Sequence, residues 1–197
     1  SRGAFFGFVV VNILFLISRR RASTFFFGAI FVGAMALLLP GEVYERVGTG
    51  WGNGFDAISA GRLEGIWLPL WSEVWRSPIV GNGLGAILWS DAMREGLVLQ
   101  VTHLHNAYLH TLLEMGVLGL VLLLAYFVHV WKAFSRLSKD PALSPVRRGF
   151  YAGAAAGLTS FLLTGMAGST LTPMIEQCFL WMAIGMMYGE RIDRKEN

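Results

Sequence analysis

The residue best suited to chemistry in this sequence is His105, which is followed by Asn106 and then by a long apolar run. We expect this run to form a helix that begins close to His105. The positive end of a helix dipole disfavours a charged imidazole, so the pKa of His105 should be lowered. A neutral imidazole can accept a proton from a hydroxyl group, and His105 is therefore a candidate general base.

Two further histidines lie close to His105 and raise the alternative of a metal site. His103 and His105 form an HxH pair, His110 follows about one helical turn later, and such patterns can bind zinc. No cysteine or aspartate lies nearby, however, and Glu114 is the nearest carboxylate. We therefore favour a site without a metal or other cofactor, in which His105 acts as a base or hydrogen-bond partner.

The stretch 40–106, which leads to these histidines, contains four arginines and no lysine: Arg46, Arg62, Arg76 and Arg94. The planar guanidinium group can hold two phosphate oxygens at once and keeps its charge at any physiological pH. At a membrane surface, such a set suits a lipid phosphate or diphosphate. The alternative is that each arginine is simply solvated or binds lipid headgroups.

A glycine-rich stretch from Pro78 to Gly85, which includes Gly81 and Gly83, has the composition of a phosphate-binding loop. Loops of that kind follow a β-strand, and no strand is predicted before this one. We therefore prefer a structural role, in which the glycines form a tight turn that reverses the chain.

Composition indicates a membrane protein. Hydrophobic residues make up 54% of the 197 residues and charged residues 15%, whereas a soluble domain has about 25% charged residues. The net charge of +3 is spread over short basic clusters beside apolar runs, a pattern of membrane topology and not of nucleic-acid binding. Cys178 is the single cysteine, which excludes an internal disulfide. Because Ser1 opens almost directly into an apolar run, we expect the chain to be a fragment of a longer protein.

Five apolar runs approach the roughly 20 residues that a membrane-spanning helix requires. They cover about 4–18, 24–39, 107–134, 150–167 and 173–188. The predicted class is therefore all-α and polytopic. A single membrane domain over 1–197 would hold two spans in 4–39, an outward segment 40–106, a third span 107–134, a cytoplasmic loop 135–149, two spans in 150–188 and a cytoplasmic tail 189–197. The fourth span contains Gly153 and Gly157, which predict close packing on a neighbouring helix.

Basic residues set the orientation, because cytoplasmic connections are enriched in lysine and arginine. Three clusters, in 19–21, 132–148 and 191–195, hold 11 of the 16 basic residues and fall on one side of a five-span arrangement. The segment 40–106 then faces outward. Arg2 lies about 25 Å along a helix from the first cluster, so it should reach the outer surface as well.

The outward segment is rich in tryptophan. Trp67, Trp71 and Trp75 recur every four residues, which predicts an amphipathic helix over 56–77, kinked at Pro69. Its tryptophan face could lie in the lipid headgroup region, or some of the rings could stack on sugars.

Several of these motifs occur together in a known family. His105 and Asn106 are followed after nine residues by Gly116 and after two more by Gly119. Arg62, Pro78 and the Gly81–Gly83 turn precede them, and Ser1-Arg2-Gly3 opens the chain. This series resembles the signature of the O-antigen ligase and polymerase superfamily, and the resemblance covers nearly the whole chain.

The resemblance implies a fold and a reaction. Members are helical proteins of ten to twelve spans, related to multi-spanning glycosyltransferases, so this chain would be a C-terminal half. They transfer a glycan from undecaprenyl diphosphate to an acceptor at the periplasmic face of the bacterial inner membrane, without a metal. The acceptor is lipid A–core in the ligases, a growing glycan in the polymerases and a protein in related members. Carried over by motif, Arg2 and Arg62 would bind the diphosphate and His105 would act at the acceptor hydroxyl. The supporting residues would be Asn106, Gly81, Gly83, Gly116 and Gly119.

Other functions remain as alternatives. A polymerase of the same superfamily would share these motifs. A non-enzymatic polysaccharide transporter would place charged groups deep inside its spans, whereas Glu114 and Glu176 lie near predicted outer ends. A structural membrane anchor would not explain the arginine and histidine placement. An intramembrane serine protease lacks its Gly-x-Ser-x-Gly element here.

Overall fold

The computed structural model describes residues 7, 9–13, 22–48, 54–98, 101–172 and 174–196, and these residues form helices and connecting turns without a strand. The predicted all-α class is thereby confirmed for the described part of the chain. The α-helices are α1 Ala22–Leu38, α2 Gly41–Gly48, α3 Phe55–Ser59, α4 Leu68–Arg76, α5 Ala86–Trp89, α6 Asp91–Arg94, α7 Ala107–Leu137, α8 Pro145–Thr164 and α9 Cys178–Glu196. A π-helical turn covers Leu63–Trp67, and 3-10 turns cover Gly165–Ala167 and Ile175–Gln177.

Within the described ranges, two helices are long and apolar enough to cross a membrane: α7, and α8 together with its 3-10 turn, over Pro145–Ala167. In each, only 22% of the most apolar stretch is buried inside the protein, so most of that surface suits lipid better than water. The stretches predicted as the second and fifth spans are helical too, as α1 and α9. The first, 4–18, lies largely outside the described residues, and the count of five spans stays a prediction.

The long helices α7, α8 and α9 share one hydrophobic core. Its larger buried side chains are Phe127, Phe134, Tyr151, Leu158, Leu180 and Met187. At one end of this bundle, Arg147 near the start of α8 forms an ion pair with Glu190 of α9 at 2.9 Å. This contact places the start of α8 beside the C-terminal part of α9, at the end of the bundle where the basic cluster 132–148 lies.

A second core joins the segment 54–104 to the N-terminal part of α7. It contains Ile66 and Leu70 around the start of α4, Ile87 of α5, Leu104, and Leu113 of α7, all almost completely buried. The stretch predicted as a long outward segment is therefore folded onto one end of α7.

The helix predicted over 56–77 differs from the structure in the place of its break. The chain turns at Ala60 and Gly61, which have φ angles of 60° and 77°, whereas Pro69 lies within α4. In the preceding π-turn, Leu68 N–H donates to Leu63 O, one residue further back than in an α-helix. This wider turn lies directly before Pro69 and is one way in which a helix accommodates the ring of a proline.

The small-residue face of α8 is open in the described part of the chain. A Cβ atom added at Gly153 or Gly157 would have no neighbouring atom within 4 Å. Both glycines line a groove of about 390 Å³ between α8 and α9. The close helix packing predicted on this face is therefore not found among the described residues.

Candidate functional site

The candidate site begins where α7 begins. Asn106 caps the helix, because its side-chain oxygen accepts hydrogen bonds from the N–H groups of Tyr108 and Leu109, each at 3.1 Å. His105 immediately precedes this cap and has a φ angle of 54°, a left-handed conformation that few non-glycine residues adopt. The two residues of the His-Asn motif therefore form the entry to the helix, as the sequence predicts.

The environment of His105 favours its neutral form. Partial burial lowers the pKa of His105 below its usual value, and the nearby His103 and Arg62 lower it further by charge repulsion. The ring centres of His103 and His105 are 4.0 Å apart. The sequence predicts the same direction of shift from the helix dipole, whereas in the structure burial is the first cause.

Arg62 lies near His105 and, among the described residues, forms no ion pair through its guanidinium group. Arg76 and Arg94 differ from it, since both pair with Asp91, and Arg76 also pairs with Glu73 at 3.0 Å. These pairs raise the pKa of Arg76 and lower that of Asp91. The side chain of Arg46 lies outside the described residues. Of the three arginines whose side chains the structure describes in this segment, Arg62 is the one left to bind an external anion.

One hydrogen bond ties the helix that carries Arg62 to the loop that carries His105. Trp67 Nε1 donates to the carbonyl oxygen of Leu104 at 2.8 Å. Trp71 and Trp75, by contrast, are 45% and 64% exposed and contact each other edge to face. The three tryptophans of the predicted stripe therefore differ. Trp67 joins its helical segment to the loop before His105, whereas Trp71 and Trp75 form an exposed aromatic surface.

Gly116 interrupts α7. Its φ and ψ angles of 66° and −171° belong to a region that only glycine adopts readily. The loop from Pro78 to Gly83 fills the interruption. Pro78 O and Ile79 O accept hydrogen bonds from Val117 and Leu118 at 2.8 and 3.0 Å.

The same loop also bonds to the other side of the break. The N–H groups of Asn82 and Gly83 donate to the carbonyls of Leu113 and Glu114, both at 2.9 Å, and the Asn82 side chain donates to Leu113 and to Glu73. We refer to residues 78–83 bonded to residues 113–118 as the loop clamp. Because these N–H groups are already engaged, the stretch forms the predicted chain reversal and does not form a phosphate cradle.

The two segments of the loop clamp approach each other so closely that each needs a glycine at the contact. A Cβ atom on Gly81 would overlap the main chain of Glu114 and Met115, and one on Gly116 would meet the carbonyl of Ile79. A Cβ atom on Gly119 would strike the side chain of Met115 in its own helix. Gly83 has a φ angle of 93°, which residues other than glycine rarely adopt. The glycines of the motif thus shape the backbone that supports the site.

Two carboxylates, the buried Glu73 and the partly buried Glu114, bond to the segments around the site, and these contacts were not predicted. Glu73 Oε1 accepts from the N–H groups of Asp91 and Ala92 at 2.8 and 3.3 Å and so caps α6. Glu114 accepts from Gly85 N–H at 2.6 Å and lies 3.3 Å from His110 Nε2. The single sequence signal for Glu73 is its position three residues before Arg76.

The described residues contain no group of three histidine, cysteine, aspartate or glutamate side chains that could hold a metal ion. His103, His105 and His110 do not converge as ligands: the first two rings face each other, and His110 contacts Glu114 instead.

Arg2 lies outside the described residues, and its predicted contact with the site stays a prediction. The nearby Gly7 is described, and a Cβ atom on it would lie 2.8 Å from Cγ2 of Thr164. A Cβ atom on Gly165 would lie 3.8 Å from that of Ala107. Gly7 therefore lies against the end of α8 that adjoins the start of α7.

Comparison with known proteins gives one match. Residues 1–124 match the family model described as O-antigen ligase. No curated protein and no solved structure gives a significant match.

Proposed function

Because this chain belongs to the O-antigen ligase family, as the sequence resemblance implies, we propose that it transfers a glycan from undecaprenyl diphosphate to an acceptor hydroxyl group. The matched residues include His105, Arg62 and Arg2. The observation that carries the proposal is a histidine whose pKa is lowered, at the start of an apolar helix and near an arginine that forms no ion pair with any residue that the structure describes.

The proposed reaction needs a base on one side and an anion-binding group on the other. His105 removes the proton from the acceptor hydroxyl as its oxygen bonds to the anomeric carbon of the donor sugar. The bond from that carbon to the diphosphate oxygen breaks, and the diphosphate leaves with the electron pair. General-base catalysis of this kind contributes about 10²–10⁴-fold. Arg62, together with Arg2, stabilises the charge on the departing diphosphate.

The proximity of Arg62 and His105 also couples donor binding to the strength of the base. In the free enzyme, the positive charge of Arg62 lowers the pKa of His105. A bound diphosphate would offset that charge, and the pKa of His105 would rise toward its ordinary value. The imidazole would then become a stronger base when the donor is in place.

The arrangement of the helices supports a periplasmic site. The ion pair between Arg147 and Glu190 lies at the end of the bundle that adjoins the basic cluster 132–148. By the positive-inside rule, this end faces the cytoplasm. His105 precedes α7 at the opposite end, which would therefore face the periplasm of a bacterium, at the surface of its inner membrane.

Complementation tests this function and distinguishes the two acceptors. The full-length parent is expected to restore O-antigen on lipid A–core in a ligase-null strain, visible as a ladder of bands on a gel. If it instead restores chain length in a polymerase-null strain, the acceptor is the growing glycan. Failure in both strains, with the protein present in the membrane, would contradict the proposal.

Arg62→Lys tests whether the guanidinium group holds phosphate oxygens in pairs. Lysine keeps the charge but loses one of two parallel hydrogen bonds, each worth about 1.5–3 kcal/mol when a charge is involved. The transfer rate should therefore fall by at least tenfold and approach that of Arg62→Ala. Arg94→Lys is the matched control, because Arg94 is exposed and pairs with Asp91. Full activity of Arg62→Lys would leave Arg62 only a point-charge role.

A further inference from the structure

A second polar cavity lies at the end of α8, outside the site formed by Arg62 and His105. Its volume is about 290 Å³. Its lining is rich in side chains that form hydrogen bonds without carrying a charge: Thr164, Ser169, Thr170, Thr172 and Gln177. The ring of Phe161 adds an apolar wall. We refer to this cavity as the hydroxyl pocket.

Several polar groups of the hydroxyl pocket are free to bind a ligand. Thr170 Oγ1 accepts a hydrogen bond from Thr172 N–H at 3.0 Å, and Gln177 Oε1 accepts one from Met174 N–H at 2.7 Å. The hydroxyl groups of Ser169 and Thr172 and the amide NH2 of Gln177 have no partner within the described residues. The pocket therefore offers both donors and acceptors.

This chemistry fits a neutral ligand with many hydroxyl groups. Hydroxyl and amide side chains can both donate to and accept from sugar hydroxyls, and an aromatic ring gives an apolar surface for a sugar face. No lining side chain that the structure describes is an arginine, lysine or histidine, so the pocket lacks what a phosphate needs.

The hydroxyl pocket lies close to His105. Gly165 lines it, and a Cβ atom on Gly165 would lie 3.5 Å from the ring of Tyr108 and 3.8 Å from Cβ of Ala107. Tyr108 Oη also donates to Leu162 O of α8 at 2.6 Å. His105 precedes Ala107 by two residues, which span at most about 7 Å.

We propose that the hydroxyl pocket binds an uncharged sugar residue of the donor or acceptor glycan and so selects which glycan reacts. This inference rests on the proposed transferase function. The residues that form the pocket lie beyond the stretch 1–124 that matches the family, whereas Arg62 and His105 lie within it. A specificity element is thus contributed by one part of the chain and the reacting groups by another.

The test is a variant of the full-length protein in nanodiscs that combines Ser169→Ala, Thr172→Val and Gln177→Leu. Loss of uncharged hydrogen bonds should raise KM for one glycan substrate by about tenfold and leave kcat nearly unchanged. Varying the donor at fixed acceptor, and then the reverse, identifies which glycan occupies the pocket. Ser72→Ala, which removes an exposed hydroxyl on α4, is the matched control and should leave both KM values unchanged.

A binding measurement separates this inference from the proposed function. Lipid-free O-antigen oligosaccharide, observed by saturation-transfer NMR, should bind the His105→Ala protein and not the triple variant. If the wild-type protein transfers no glycan but binds the oligosaccharide while the triple variant does not, the proposed transferase function is wrong and the sugar-binding role of the hydroxyl pocket is supported. Equal oligosaccharide binding and equal KM values in the triple variant and the wild type would overturn the pocket. The nearly isosteric Thr172→Val alone should raise KM about threefold, which keeps the test decisive if the triple variant is unstable.

Discussion

A His105→Asn variant of the full-length protein is expected to transfer glycan about 10²–10⁴-fold more slowly than the wild type, because the general base is lost. Asparagine is preferable to alanine here, since it tolerates the left-handed φ of 54° at this position. The measurement is the initial rate of glycan transfer by purified protein in nanodiscs, with membrane expression and thermal unfolding as checks of folding. A near-normal rate in a folded variant would remove His105 from the mechanism.

His103→Ala is the matched control, because it removes the neighbouring imidazole 4.0 Å away and leaves the proposed base in place. Because burial lowers the pKa of His105, the kcat/KM of the wild type, which reports the free enzyme, should rise as the pH passes through that lowered pKa and then reach a plateau. The charge of His103 contributes to the lowering. In His103→Ala the pKa of His105 should rise, and the acidic limb of the pH–rate profile should move to higher pH. If the acidic limb lies at the same pH in His103→Ala as in the wild type, it does not report the titration of His105.

Gly116→Ala should destabilise the protein by on the order of 3 kcal/mol or more and abolish most of its activity. Alanine is strained at φ 66° and ψ −171°. Its Cβ atom would meet the Ile79 carbonyl and lie 2.6 Å from the nitrogen of Gly81. Opening the loop clamp would leave main-chain groups of α7 unbonded and displace the helix end that His105 precedes. Thermal unfolding in nanodiscs and the transfer rate give the two readouts.

Gly85→Ala is the control that separates the cost of backbone strain from the cost of the close contact between the two segments of the loop clamp. Gly85 also has a positive φ, 70°, but a Cβ atom on it would have no neighbour within 4 Å. This variant should therefore lose only about 1–2 kcal/mol, the cost of the left-handed conformation. If the two variants are equally destabilised, the loop clamp contributes little to stability.

The parts of the fold that follow from local pattern were predictable. Long apolar runs predicted the positions of α7, α8 and α9, and the run after Asn106 predicted that α7 begins close to His105. The His-Asn and glycine spacing also led to the family, which the match over residues 1–124 confirms. These features depend on residues that are close together in sequence, so they can be inferred without knowledge of the fold.

Features that depend on distant partners were not predictable. The bond from Trp67 to Leu104, the engagement of Arg76 and Arg94 by Asp91, and the capping of α6 by Glu73 each join separate segments. Residue type alone did not distinguish the four arginines of the outward segment, and only the family resemblance singled out Arg62. These contacts supply a physical difference between Arg62 and the two arginines Arg76 and Arg94.

Proline usually distorts a helix, which is the basis for a predicted kink at Pro69, and the structure has a π-turn directly before this residue. A π-turn leaves no pattern in residue types that a periodicity argument can detect. The break at Gly61 was marked by a glycine in the sequence, but its neighbour Ala60 also adopts a positive φ, which no propensity argument would assign to alanine.

The loop clamp also implies an order of folding. The part of α7 after the break, Val117–Leu137, is about 30 Å long at 1.5 Å per residue and can cross a bilayer by itself. Its first N–H groups and the last carbonyls of the part before the break find their partners in residues 78–83, some 35 positions earlier in the chain. The membrane helix can therefore insert first, whereas the start of α7, which follows the proposed base His105, is completed only after the segment that contains residues 78–83 has docked.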